Sequence, residues 1–101
     1  MRTVRSMKAR TDAAVLANHL DGERLKVIPA KRGRKLIVLR WLVERFAYGV
    51  AYSEAEVNAL IARAHPDFAT LRRELYDAYL MDRVDGVYRR RRDGEEGAPG
   101  L

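Results

Sequence analysis

Apolar residues recur at helical spacing in four stretches of the chain, and strand-like alternation takes over near its end. Ala13, Leu16, Ala17 and Leu20 share one helical face; Thr11-Asp12 can cap this first helix and Asp21-Gly22 ends it. Leu25-Lys26-Val27-Ile28 alternates like a short strand until Pro29 stops it. From about Arg34 to Phe46, the residues Leu36, Leu39, Leu42, Val43 and Phe46 form one broad apolar face. Ile37, Val38 and Trp41 widen it until only Arg40 and Glu44 clearly face water, which marks a central helix packed on several sides. Tyr48 to Tyr52 reads as an extended linker able to pair as a third strand beside the terminal ribbon.

Ser53-Glu54-Ala55-Glu56 is a capping box, with Tyr52 and Val57 in the positions of a hydrophobic staple. Val57, Leu60, Ile61 and Ala64 mark the buried stripe of the helix that follows. His65-Pro66 breaks that helix, because proline disfavours the helical conformation of the residue before it, and Asp67 caps another at once. In this last helix Phe68, Leu71, Leu75, Ala78 and Tyr79 form the expected buried face. Ala69, Thr70, Arg73 and Asp77 lie opposite, with Arg72 and Tyr76 on the flank. Met81–Val84 and Val87–Arg90 bracket Asp85-Gly86, a two-residue hairpin signal that sets Val84 opposite Val87, Arg83 opposite Tyr88 and Asp82 opposite Arg89.

The expected fold is α+β and winged helix-turn-helix-like: mostly helical, with a C-terminal β-hairpin wing and an extra N-terminal helix and short strand. The expected division is an N-terminal helical arm (1–21), a winged-helix-like domain (22–92) and a disordered tail (93–101), which lacks any periodicity.

Charge narrows the function. The 101 residues hold 20 Lys+Arg against 14 Asp+Glu, a formal +6, which favours nucleic acid, an anionic membrane surface or an acidic protein partner. The basic start, Met1 to Lys8, lacks the apolar core of a signal peptide, and the apolar run Leu36–Leu39 is far too short for a bilayer. A cytoplasmic protein without membrane contact is expected. There is no cysteine, so neither a disulfide framework nor a thiolate zinc site can form. His19 and His65 sit at a helix end and a His-Pro turn, Ser53 is a cap, and Gly33 and Gly49 stand alone rather than in a phosphate-cradling loop. No catalytic residue, metal ligand, cofactor or small-molecule substrate follows, and an enzyme is not expected.

The candidate nucleic-acid contacts fall in three groups. Lys31, Arg32, Arg34 and Lys35 form a basic segment before the central helix. Thr70 and Arg73, with Arg72 on the flank, lie where the second helix of a helix-turn-helix meets base edges in the major groove. Arg83, Arg89, Arg90 and Arg91 concentrate guanidinium groups on the hairpin, suited to phosphates. Double-stranded DNA is the expected partner. Other readings stay open: Arg73 and Asp77 as a solvated i,i+4 pair, the charge runs as hydrated faces, the tyrosines as platforms for single-stranded RNA, or the whole domain as a protein-interaction or homodimer module.

The segment Arg24–Arg32 followed by Arg34–Leu42 resembles the opening of the bacterial domain of unknown function 2087 family. The likeness continues through Tyr52–Asn58 and through His65-Pro66-Asp67-Phe68-Ala69-Thr70-Leu71-Arg72-Arg73-Glu74-Leu75, and closes on Val87-Tyr88-Arg89. It covers about residues 22 to 91. The resemblance implies an association with bacterial transcriptional regulators and assigns no biochemical activity. Some relatives carry the domain beside a separate helix-turn-helix module, which implies a dimerisation or sensing attachment there. The family's His-Pro-Asp-Phe-x-Thr-Leu-Arg-Arg pattern falls on residues 65 to 73, placing Thr70 and Arg73 at the start of the last helix.

Overall fold

The spacing of apolar residues assigns most elements correctly, and the computed structural model, which describes residues 12–92, shows what fixes their ends. The basic start, the Thr11 cap and the 93–101 tail lie outside the described residues. Helix α1 occupies 12–19 and rests Leu16 against the core. Asp21-Gly22 stops it by reversing the chain: Gly22 takes φ +66, a conformation that costs a glycine nothing. Strand β1 (Leu20–Asp21) thus pairs antiparallel with β2 (Arg24–Leu25), Leu20 facing Leu25. The strand expected over Leu25–Ile28 is shorter and starts one residue earlier. Its partner is only two residues long, so Val27 and Ile28 have no ladder to join. Leu25 N donates to Ala64 O at 2.8 Å, which docks the ribbon on the end of the third helix.

Helix α2 (Arg32–Val43) begins two residues before the expected start, because Lys35 N reaches Lys31 O at 2.8 Å and the basic segment is drawn into the first turn. Val38, Leu39, Leu42 and Val43 are buried while Arg40 and Glu44 are exposed, as its pattern demands. Beyond Val43 the turns tighten, with Phe46 N donating to Val43 O, so Phe46 still reaches the core. On the side facing α1, the half-buried Trp41 carries the Arg45 guanidinium 3.8 Å from its ring centroid, and Arg45 Nη1 donates to the Trp41 carbonyl.

Strand β3 (Tyr52–Ser53) is short because Ser53 ends it and caps helix α3 (Glu54–Ala62). The capping box is complete: Glu56 N donates to Ser53 Oγ at 3.1 Å, and Ser53 N donates to Glu56 Oε1 at 2.8 Å. Tyr52 accepts a hydrogen bond from Ala47 N and meets Phe46 edge-on at 5.1 Å. After Pro66, helix α4 (Phe68–Asp77) starts under two local caps: Thr70 N donates to Asp67 Oδ1, and Asp67 N donates to His65 Nδ1.

The end of α4 differs from expectation. Tyr79 is not on the buried face; it is 51% exposed and holds φ +60. Tyr79 N donates to Tyr76 O and Leu80 N to Leu75 O, the paired bonds of a Schellman motif with Tyr79 in the place glycine usually takes. Leu80, rather than Tyr79, then packs against the core beside Leu75. Strands β4 (Met81–Val84) and β5 (Val87–Arg90) follow, with Asp85 and Gly86 both at positive φ as the two-residue turn requires. Their register matches the expected one pair for pair. β3 joins the far side of β5, Tyr52 opposite Tyr88 and Ser53 opposite Val87, giving the antiparallel order β3-β5-β4.

The described chain is therefore α+β, with four helices and two small antiparallel sheets around one core. Leu16 and Leu20 of the N-terminal arm pack against that same core.

Two substitutions test these ends by urea unfolding. Tyr79→Gly relieves a left-handed conformation at an exposed position and is expected to stabilise by up to about 1 kcal/mol, after allowing for glycine's freer unfolded chain. Ser53→Ala removes one half of the capping box and is expected to destabilise by about 1 kcal/mol.

Candidate nucleic-acid interface

Helix α4 is held from beneath and on both flanks. Leu71 and Leu75 are fully buried under it, with Phe68 and Ala78 at the margins. On one flank Arg72 Nη1 donates to Asn58 Oδ1 and lies 3.7 Å from Glu54 Oε2, both on α3. On the other, Glu74 Oε2 receives the Lys35 ammonium of α2 at 3.1 Å. What remains is a strip of Ala69, Thr70, Arg73, Tyr76 and Asp77, all exposed, spanning roughly 120° at 100° per residue. Among the described residues no side chain pairs with Arg73, and the Arg73–Asp77 ion pair is not formed.

The basic segment sits beside this strip. Arg32 and Lys35 share a small cleft with Glu74, Asp77 and Ala78, so the start of α2 runs along the last turns of α4. Lys31, Arg32 and Arg34 are exposed, whereas Lys35 is half-buried and committed to Glu74. Lys31 offers no side-chain cap and the first turn of α2 has no acidic residue. Its free N–H groups therefore add their partial positive charge to the side chains.

The hairpin arginines, one cluster in the sequence, are divided by the register. Arg83 stands opposite Tyr88, one pair from the turn, its guanidinium 5.8 Å from the tyrosine ring centroid; Arg89 is exposed on the other face, opposite Asp82. Arg90 lies at the open end, opposite Met81 and roughly 10 Å along the strand from Val87. Alternation points it to the inner face. There Nη1 donates to Phe46 O at 3.1 Å, the guanidinium covers the Tyr48 ring at 4.0 Å, and the buried Nε has no acceptor. Arg91 pairs with Asp82 at 3.1 Å and its side chain is only 10% exposed. Of the candidates, Lys31, Arg32, Arg34, Thr70, Arg73, Arg83 and Arg89 are thus open to solvent, while Lys35, Arg72, Arg90 and Arg91 hold the fold together.

Two residues outside the candidate duplex contacts line the open end. Tyr48 is a platform for Arg90 and, at 5.0 Å, for Arg92, and Arg40 of α2 faces the same cleft as Arg90. The signal available for the first was strand alternation, which turns Arg90 inward toward the 46–51 turn.

Among the described residues no group of three or more His, Cys, Asp or Glu is placed to hold a metal ion, and no helix is long and apolar enough to cross a membrane. No curated protein and no solved structure matches the chain. Residues 24–90, running from β2 through β5, match the family described as uncharacterized protein conserved in bacteria (DUF2087), and the chain belongs to that family.

Proposed function

We propose that the protein is a winged helix-turn-helix that binds duplex DNA in transcriptional regulation, with α4 in the major groove and the β4–β5 hairpin as its wing. The observation that carries this reading is the strip on α4: an exposed, unpaired arginine on a helix whose other sides are all fixed. The order α2-β3-α3-α4-β4-β5 with sheet order β3-β5-β4 is compatible with a winged helix and supports the same reading. Arg73 and Thr70 meet base edges, Arg73 presenting its fork to guanine. Lys31, Arg32, Arg34, Arg83 and Arg89 neutralise phosphates. Asp67 near the start of α4 is spent on capping Thr70 N, which keeps its charge on the protein's own amide.

A second reading draws on Tyr76, 46% exposed on the same strip: α4 docks a protein partner through an aromatic contact and touches no DNA. Anisotropy titrations against a randomised and a selected duplex separate the two. Arg73→Ala is expected to cost about 1–3 kcal/mol on the selected duplex and little on random sequence. Arg89→Ala is expected to weaken every duplex alike and to flatten the slope of log K against log salt by about one. Absence of duplex binding at about 50 mM salt removes the DNA reading, and an unchanged selected-site preference after Arg73→Ala removes base reading by Arg73.

A further inference from the structure

The open end of the sheet gathers arginines that the α4 strip does not use. A cleft of about 320 Å³ there is lined by Arg40, Glu44, Tyr48, Leu80, Arg90 and Arg91 among others. A second, of about 180 Å³, runs along Gly49, Asp82 and the consecutive Arg89 to Arg92, and the two share Arg90 and Arg91. The larger volume suits a small organic ligand.

The guanidinium groups of Arg90, Arg91 and Arg92 are held before any ligand arrives. Tyr48 lies under both Arg90 and Arg92, Arg90 is tied to the Phe46 carbonyl, and Arg91 is braced by Asp82. Their ordering is therefore met by folding, which lowers the entropy lost on binding. Among the described residues charge is out of balance in the larger cleft, where Arg40, Arg90 and Arg91 stand against one carboxylate, Glu44. Asp82 is committed to Arg91, and Glu44 forms no ion pair among the described residues. Arg40 also borders Asp12 across α2, yet it too forms no ion pair and its head is exposed. Guanidinium stays charged at every accessible pH and matches phosphate oxygens in a fork, so an anion held in the cleft relieves the repulsion within the cluster.

We propose that this cleft is a binding site for a phosphate-bearing anion, with Arg40, Arg90 and Arg91 as its cationic walls and Tyr48 as an aromatic side. The phosphate comes either from a free phosphorylated small molecule or from a nucleic-acid backbone that reaches this end of the sheet. The site stands apart from the α4 strip and does not rest on base reading by Arg73.

Pyrophosphate is the probe, titrated into the full chain at low fixed ionic strength and followed by calorimetry and amide NMR shifts. Saturation at one site is expected, with shifts centred on Tyr48, Gly49, Arg90 and Arg91. Arg40→Gln, at an exposed position, weakens binding roughly tenfold, the loss of one charge-assisted hydrogen bond. Glu44→Gln tightens it, while Arg73→Ala and Glu23→Gln leave it in place. Non-saturating shifts spread over all basic residues, or equal tightening by Glu23→Gln and Glu44→Gln, overturn the proposal, because both signify diffuse attraction without a site. A short duplex then assigns the source. Displacement of pyrophosphate by the duplex, with Arg40→Gln weakening both alike, identifies the backbone; simultaneous binding of both identifies a small molecule.

Discussion

Ser53 belongs to two elements at once, and the layout of the molecule turns on that. Its backbone pairs with Val87 in the sheet, and its hydroxyl and amide complete the reciprocal bonds with Glu56 that start α3. The helix that supports α4 is therefore set directly against the hairpin strand β5, with no loop between to absorb error. Arg72 then ties α4 to the start of α3 through Glu54 and Asn58. Strand, cap, supporting helix and outer helix form one continuous chain of short-range contacts. The exposed face of α4 is placed by these contacts together with the Lys35–Glu74 pair on its other flank.

Much of this was legible in the sequence, for identifiable reasons. Asp85-Gly86 demands positive φ at two successive residues, and a two-residue loop leaves a single register, so the hairpin pairs were fixed by local chemistry. The capping box was equally local. Tyr79 was misplaced because helical periodicity continues arithmetically past the point where the backbone leaves the helix. What ends α4 is the pair of bonds from Tyr79 and Leu80 back to Tyr76 and Leu75, and no glycine marks them. The two-residue strands β1 and β2 were similarly below what alternation can resolve.

Charged residues were the least legible. Counting arginines along the hairpin treats them as equivalent, yet the pleat sends Arg90 inward onto Tyr48 and leaves Arg89 in water. Long cationic side chains bury their stems and place their heads wherever an acceptor or ring is available. Lys35 and Arg72 found such partners on neighbouring helices, separated by 39 and 14 positions in the chain, and nothing in local sequence announces either. The candidate surface is accordingly smaller and sharper than composition implied, and the arginines at the open end of the sheet form a separate feature.

Trp41 carries a practical corollary. It is the sole indole in the chain, half-buried on the α1 side of α2 and stacked beneath Arg45. Its emission is consequently an intrinsic optical gauge of how the N-terminal arm seats on the central helix, readable without any label and set away from the outward strip of α4.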